Sequence, residues 1–329
     1  MGFLGNFGGL RASILSRTGH AGFRGTRNCK GIGFTSICPM NFPFKTVALI
    51  GKYRAPEITG PLLRLADFLS GLNVSVVVDS LTAENLKQHE YGVQALEAMG
   101  GKVDLAIVLG GDGTMLNIAR TLAPSGIPLV GVNQGRLGFL TDISLDTMQQ
   151  TMGAMLAGDF VTEQRMLLYT RIVRNGVDVF SSLAFNEVVL HRGNISSMIE
   201  FDVHVDGEYL YRQRADGLIV ATPTGSTAYA LSAGGPILHP SLDLIALVPV
   251  CPHTLSNRPI VVKSESLLEI LARGITEVRV HFDSHAHFQL QENDKVVISR
   301  YPQPVCLLHP VGHSYYRTLR EKLLWNVSL

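Results

Sequence analysis

A glycine-rich turn in the first half of the chain carries a carboxylate where chemistry could occur. Gly110-Gly-Asp-Gly-Thr114 follows an apolar stretch, residues 103–109, and precedes a helical pattern that starts at Met115. A strand, a glycine turn and a helix together present backbone N–H groups to an anionic ligand. Asp112 would repel a phosphate, so its presence suggests proton acceptance, metal binding or a bond to a sugar hydroxyl. Alternatively, Asp112 caps the helix after a tight turn.

A second stretch, residues 216–236, also combines polar groups with a turn. Its apolar strand, residues 218–221, leads into Thr222-Pro-Thr-Gly-Ser-Thr227 and then a short helical pattern. Four hydroxyls at a helix start can donate neutral hydrogen bonds to a phosphate or a ribose. A helix cap would need only one of them. The stretch therefore indicates a ligand site.

The pair Asn186-Glu187 opens another apolar strand. A carboxamide beside a carboxylate can bind the base edge and the hydroxyls of a nucleoside. The alternative is a polar entry into a strand.

Three histidines, His281, His285 and His287, alternate farther along the chain. No cysteine or acidic cluster completes a metal site with them, so we assign no metal ligands. We expect these histidines to lie at the surface or to line a pocket.

The sequence argues against several classes of protein. The chain has no Gly-x-x-x-x-Gly-Lys-Ser/Thr and no Gly-x-Ser-x-Gly, which argues against P-loop enzymes and hydrolases. A formal net charge of +1 gives no reason to expect nucleic acid or an anionic membrane as partner. No apolar run approaches the roughly 18 residues of a membrane span. Four scattered cysteines indicate a reducing compartment, and we expect the protein to be cytoplasmic.

Residues 1–44 differ from the rest because they are rich in Gly, Arg and Ser and contain no acid. One interpretation is an organellar transit peptide. The other is a translation start placed too far upstream, with Met40 as the true start. We favour a disordered or spurious extension, and in either case expect it to carry no chemistry.

A regular alternation of strands and helices must position the glycine turn. Apolar strands are predicted at residues 46–50, 74–78, 103–109 and 127–132, and helices at 57–72, 84–99 and 115–123. This alternation predicts an α/β domain, residues 45–142, with a Rossmann-like parallel sheet. Ligands bind such sheets at the carboxyl ends of the strands. Asp112 and Asn133 lie at two such ends.

After Asp142 a helix is expected at residues 145–156, and then strands dominate. Hairpin signals such as Asn175-Gly176 separate them. The predicted strands are residues 166–173, 177–183, 201–205, 209–213, 244–250, 260–262, 278–282 and 295–299. The second half, residues 143–300, is therefore predicted to be a β-rich, β-sandwich-like domain, and residues 314–325 a terminal helix.

Together these stretches resemble the NAD kinase family, from Lys45 to about Trp325. The resemblance is carried by Gly110–Thr114, Asn186-Glu187 and the long Thr222–Pro236 motif, with further matches at Leu137-Gly-Phe-Leu-Thr-Asp142 and Pro252-His-Thr-Leu255. It is greatest for the Gram-negative bacterial branch. It implies the NAD kinase-like two-domain fold, with residues 301–329 packing back on the first domain, and a homo-oligomer, dimer or tetramer.

The resemblance also implies the reaction. ATP would donate its γ-phosphoryl group to the 2′-hydroxyl of the adenosine ribose of NAD, giving NADP. A divalent metal ion, Mg²⁺, would screen the triphosphate. Asp112 matches the family's proton acceptor. The positions matching nucleotide contacts are Asp112, Gly113, Asn186, Glu187, Ser197, Arg214, Asp216, Thr224, Thr227, Ala228, Tyr229, Ala230, Leu231, Ser232 and His285. His285 depends on a gapped match, and Arg214 resembles branches that use ATP rather than polyphosphate.

Two other functions are compatible with parts of the sequence. A lipid or sugar kinase of the Gly-Gly-Asp-Gly superfamily would share the first motif but would not require residues 222–236. A non-catalytic sensor that binds NAD or NADP would need no proton acceptor. The intact Asp112 beside an intact second motif argues against the sensor.

Overall fold

A computed structural model of the chain describes residues 43–86, 89–135, 137–193, 198–254, 256–274 and 277–325. Ser197 and the predicted N-terminal extension up to residue 42 lie outside the described residues. The strands are β1 (Thr46–Gly51), β2 (Ser75–Asp79), β3 (Gly92–Gln94), β4 (Leu105–Gly110), β5 (Leu129–Asn133), β6 (Ile143–Ser144), β7 (Phe160–Arg165), β8 (Leu168–Arg174), β9 (Val177–Ala184), β10 (Glu187–Arg192), β11 (Ile199–Val205), β12 (Glu208–Ala215), β13 (Gly217–Ala221), β14 (Leu244–Val250), β15 (Ile260–Lys263), β16 (Leu268–Arg273), β17 (Val278–Phe282), β18 (Ala286–Gln289), β19 (Lys295–Arg300) and β20 (Val305–Pro310). The α-helices are α1 (Thr59–Gly71), α2 (Ser80–Ala83), α3 (Asp112–Leu122), α4 (Met148–Leu156), α5 (Tyr229–Ser232) and α6 (Tyr315–Lys322).

The first sheet has the strand order β3-β2-β1-β4-β5-β20-β7, and β6 pairs with β5. Its neighbouring strands are parallel except β7, which is antiparallel to β20. Helix α1 buries Leu62, Leu65 and Leu69 against one face, where α4 also packs, and α3 buries Met115 and Ile118 against the other. The predicted α/β architecture with a parallel sheet is confirmed.

The second half forms two antiparallel sheets. Their strand orders are β15-β14-β13-β10-β17-β18 and β12-β11-β16-β19-β8-β9. The two sheets share one apolar core that contains Phe201 of β11, Leu218 of β13 and Phe282 of β17. Helix α5 covers the outer face of the first of these sheets through Ala230, which packs with Ile219 of β13. The predicted β-sandwich is therefore also confirmed.

The predicted helix over residues 84–99 is wrong. Helix α2 lies earlier, where the Asp79 carboxylate accepts a hydrogen bond from Thr82 N at 3.0 Å, and the following segment forms β3 and a 3₁₀-helix, Leu96–Ala98. Gly92 lies in the middle of the predicted helix and disfavours it. Strand β3 instead satisfies its backbone by parallel pairing with β2. Among the described residues, no helix has the length and apolarity needed to cross a membrane.

Candidate functional site

The Asp112 carboxylate is fixed by a loop that follows β5. Its Oδ2 accepts a hydrogen bond from Phe139 N at 2.8 Å, and its Oδ1 accepts from Leu140 N at 3.0 Å and from Thr141 Oγ1 at 3.2 Å. Asp112 is the first residue of α3 and forms no side-chain cap with it. The helix-cap alternative is therefore excluded.

The loop lies close to this carboxylate because residue 138 is a glycine. A Cβ at Gly138 would clash with Asp112 Oδ1 and with Thr141 Oγ1. The backbone N of Gly138 also donates to the carbonyl of Thr141 at 2.9 Å, which closes the loop into a tight turn. The spacing of Gly138 and Thr141 thus lets successive backbone N–H groups point at one carboxylate.

A cleft of about 730 Å³ opens at the carboxyl ends of β1, β4 and β5, next to the glycine turn that carries Asp112. Gly111 and Gly113, which flank Asp112, line it. Lys52 brings a cation from the end of β1, and Asn133 brings a carboxamide from the end of β5. This is the edge of an α/β sheet at which ligands bind, so the cleft is the candidate active site.

His285 lines the same cleft from the β-sandwich. It is exposed and follows a turn in which Asp283 and Ser284 have positive φ values of 47° and 56°. The structure thus brings His285 and Gly113, two of the predicted residues, to one cavity. The gapped match on which His285 depended does not conflict with this placement.

The motif that starts at Thr222 uses its buried hydroxyls to hold its own turn. Thr222 Oγ1 donates to the carbonyl of Phe185 at 2.7 Å, and Ser226 Oγ donates to the carbonyl of Pro223 at 2.6 Å. Both side chains have no exposed surface. These two hydroxyls, which are not among the predicted contact residues, therefore serve the turn itself. A buried hydroxyl must find a partner, and here the turn provides it.

The other hydroxyls of this motif are also bonded. Thr227 Oγ1 donates to the carbonyl of Thr224 at 3.1 Å, and Thr224 Oγ1 accepts from Arg165 Nη1 at 3.1 Å. In helix α5, Tyr229 and Ser232 are exposed, whereas Ala230 is buried. Ala228 and Leu231 are partly buried. From this stretch, the side chains that are free to meet a ligand are thus those of the exposed residues.

Glu187 is a buried acid at the start of β10. Its Oε2 has no hydrogen-bond partner among the described residues. Burial raises the pKa of Glu187 to about 8, and the nearby Asp283 carboxylate adds to the rise. At neutral pH the side chain is therefore mostly a neutral carboxylic acid, which can donate a hydrogen bond.

Asp283 anchors the Asn186-Glu187 pair. Its carboxylate accepts hydrogen bonds from the backbone N atoms of Phe185, Asn186 and Glu187 at 2.7 to 3.0 Å. Arg120 of α3 donates to the same carboxylate at 2.6 Å. The Asp112 helix and the Asn186-Glu187 strand are thereby held in one arrangement.

Arg214 and Asp216 do not line the cleft. Both are exposed and precede β13, while the Thr222 motif follows its other end. A five-residue strand spans about 17 Å. The structure therefore separates these two predicted contacts from the Thr222 motif of the same chain.

Three functional candidates escaped the sequence reasoning. Lys52 and Asn117 line the cleft, and Asp283 holds the Asn186-Glu187 strand. A lysine directly after the first buried strand was a usable signal for Lys52. The backbone N–H donors of Phe139 and Leu140 could not be identified from the types of their side chains.

Two family models match the chain. The ATP-NAD kinase N-terminal domain matches residues 47–160, and the ATP-NAD kinase C-terminal domain matches residues 185–309. A protein named NAD kinase from Nitrosomonas eutropha is 61% identical over 286 residues, which cover 87% of this chain and 97% of that protein. The NAD kinase of Thiobacillus denitrificans is 50% identical over 290 residues, covering 88% and 100%.

Solved structures with the same fold include a yeast NADH kinase complexed with NADH. It has a TM-score of 0.78 and 26% identity, and the match covers 88% of this chain and 90% of that one. An NAD kinase from Archaeoglobus fulgidus in complex with ATP has a TM-score of 0.67 and 27% identity, covering 85% and 98%. These chains resemble the present one across both of its halves.

Proposed function

The chain belongs to the NAD kinase family and is an ATP-dependent kinase of NAD, and from this premise we propose how its own residues carry out the transfer. The 2′-hydroxyl oxygen of the adenosine ribose attacks the γ-phosphorus of ATP. The bond between that phosphorus and the β–γ bridging oxygen breaks, and ADP and NADP form. The cleft at the carboxyl ends of β1, β4 and β5 holds the reacting groups.

Asp112 accepts the proton of the ribose hydroxyl through Oδ2. Among the described residues, this oxygen accepts one hydrogen bond, from Phe139 N, whereas Oδ1 accepts two. A carboxylate oxygen has two lone pairs, so Oδ2 retains one for the substrate. Such assistance accelerates a reaction by about 10²–10⁴. The asymmetry of these bonds is the observation that carries the proposal.

The N-terminus of α3 and Lys52 bind the phosphates. The first turn of a helix presents unpaired N–H groups and a positive dipole end. The backbone N of Lys52 donates a hydrogen bond to Leu109 O at 3.0 Å, which holds the lysine beside the glycine turn. Phosphoryl transfer depends mainly on positioning and charge neutralisation, and these groups supply both.

Mg²⁺ fits the donors that line the cleft. Asp79 and Asn133 offer the hard oxygen ligands that this ion prefers. Burial raises the pKa of Asp79, although the Thr82 N–H and hydroxyl oppose the rise. Bound with ATP, Mg²⁺ would neutralise triphosphate charge.

Glu187 and Asn186 recognise the nucleoside. The unpartnered Oε2 of Glu187 is a buried polar atom that a ribose hydroxyl or a base nitrogen would satisfy. Because its pKa is raised to about 8, Glu187 enters this contact as a donor near neutral pH. Tyr229 and Ser232 offer exposed groups for the remainder of the dinucleotide.

A homo-oligomer explains the position of Arg214 and Asp216. If these two residues contact NAD, as the family resemblance implies, they reach it in the cleft of a neighbouring copy. Co-expression of Asp112→Asn and Asp216→Ala chains should then restore part of the activity that each variant lacks alone. If purified mixed oligomers recover no activity, the two chains do not share active sites.

A cytoplasmic location agrees with the free thiols of Cys251 and Cys306.

A coupled assay tests the whole proposal. NADP formation is followed with NAD, ATP and Mg²⁺, and then with each omitted in turn. We expect product only with all three. Phosphorylation of a lipid or sugar without NAD would support the first alternative function, and NAD binding without turnover would support the sensor.

A further inference from the structure

Two histidines and an aspartate meet beside the loop that holds Asp112. His309 Nδ1 lies 3.0 Å from Asp142 Oδ2, and His313 Nδ1 lies 2.8 Å from the same oxygen. The potential ligand atoms of these residues all lie within 4.8 Å of one another. Asp142 directly follows the loop, His309 lies in β20, and His313 precedes α6.

The aspartate has an unused oxygen in a buried position. Its side chain is 9% exposed, and its Oδ1 has no hydrogen-bond partner in the part of the chain that the structure describes. A buried carboxylate oxygen without a partner is uncommon. The His309 side chain is 2% exposed and that of His313 13%. The cluster is thus largely shielded from water while one coordinating atom is free.

A second carboxylate orients His309. The Nε2 of His309 lies 3.1 Å from Glu163 Oε2, and Arg165 Nη2 donates to that same oxygen at 2.8 Å. A metal-binding histidine usually donates its other ring N–H to a carboxylate, which fixes its tautomer. Here a proton on Nε2 would leave the Nδ1 lone pair of His309 directed at the Asp142 oxygen.

A cluster joined only by protons is the alternative. It would require the two imidazoles to donate to one oxygen of Asp142 while the other oxygen stays unused. The rings of His309 and His313 are stacked, with centroids 4.0 Å apart and planes 18° from parallel. Such a cluster leaves the buried Asp142 Oδ1 without a partner, which is uncommon for a carboxylate oxygen. A metal ion would instead use both rings as neutral ligands through their Nδ1 lone pairs.

We propose that Asp142, His309 and His313 bind a divalent transition metal ion, for which Zn²⁺ is the best match. Two imidazole nitrogens and a carboxylate oxygen are borderline ligands that suit Zn²⁺. A water molecule completes a tetrahedral set. The ion ties β20 and the start of α6 to the loop whose N–H groups hold Asp112. It is separate from the Mg²⁺ of the nucleotide cleft, which takes oxygen ligands.

Titration of the metal-depleted full-length chain with Co²⁺ and Zn²⁺ tests this site without reference to kinase activity. We expect one Co²⁺ per chain to give the visible absorption of a tetrahedral site, Zn²⁺ to displace it, and excess Mg²⁺ not to displace it. Zn²⁺ should also raise the melting temperature. His313→Gln should abolish the absorption, and Glu163→Gln should weaken binding by about 10- to 100-fold.

His287→Gln is the matched control, because His287 is exposed on β18 and lies outside the cluster. It should bind Co²⁺ like the wild type. Circular dichroism of each variant establishes that it is folded, and Asp142→Asn provides a second ligand variant if His313→Gln is not. Absence of stoichiometric binding to the wild type, or equal binding by the folded ligand variants, would overturn the proposal and leave a hydrogen-bonded cluster only.

Discussion

Replacement of Asp112 by Asn separates a proton acceptor from a mere anchor for the loop. Both oxygens of Asp112 accept hydrogen bonds, one from Phe139 N and the other from Leu140 N and Thr141 Oγ1. An asparagine retains only one of these oxygens. In either orientation its NH₂ group faces a backbone N–H, so the substitution removes at least one bond to the loop as well as the basic carboxylate.

The two effects have different magnitudes. A buried N–H left without a partner costs about 1–3 kcal/mol of the free energy of unfolding. Loss of a general base lowers kcat by about 10²–10⁴, which corresponds to roughly 3–5 kcal/mol in the activation free energy. Asp112→Asn should therefore reduce kcat at least about 100-fold while the protein stays folded and still binds NAD.

Thr141→Val is the matched control, because it removes one hydrogen bond to Asp112 Oδ1 and leaves Oδ2 as it is. We expect it to lower the free energy of unfolding by about 1 kcal/mol and to change kcat far less than Asp112→Asn. NADP formation gives kcat, calorimetry gives the Kd for NAD, and urea denaturation gives stability. If the two variants lose kcat in proportion to their loss of stability, Asp112 is an anchor and the reasoning fails.

Three further predictions concern other residues. Lys52→Gln should raise the KM for ATP about tenfold, because it removes a cation that contributes about 1–2 kcal/mol to binding. Lys102→Gln, at the opposite end of the sheet, should leave the KM unchanged. Equal KM values for the two variants in steady-state kinetics would refute a role of Lys52 in ATP binding. The folded-state pKa of Glu187, about 8, exceeds its ordinary 4.5. Its contribution to the free energy of unfolding is therefore complete below pH 4.5 and is lost as the pH rises to 8. Between pH 5 and 8 the free energy of unfolding of the wild type should fall by about 1.4 kcal/mol per pH unit more than that of Glu187→Gln. Parallel plots of this free energy against pH for the two proteins, from urea denaturation, would contradict the prediction. Gly138→Ala should lower kcat at least tenfold by displacing the loop, unlike Gly71→Ala, where a Cβ meets nothing within 4 Å, and matching rates for the two would sink the clash argument.

Features encoded by local sequence could be predicted. The apolar run before Gly110 and the glycines after it are sufficient to specify a strand, a turn and a helix. The alternation in the second half specifies strands with one buried face. The family resemblance read from Gly110–Thr114 and Thr222–Pro236 is confirmed by matches over both halves of the chain.

Features created by tertiary structure could not be predicted from the sequence. The groups that hold Asp112 are mostly backbone N–H groups, and every residue has one. The metal cluster joins Asp142 to His309 across 167 residues, so no spacing in the sequence marks it. The raised pKa of Glu187 depends on burial that arises only when β10 is enclosed by its neighbours.

The place of β20 in the first sheet has a consequence for the order of folding. Residues 305–310 lie between β5 and β7, which the ribosome produces more than 130 residues earlier. During synthesis the nascent first half therefore lacks an interior strand, and its final pairings close a long loop at a high cost in chain entropy. Because that strand also carries His309, the loop beside Asp112 gains its last support only after the whole β-sandwich has left the ribosome. An incomplete chain therefore lacks this support for the loop beside Asp112.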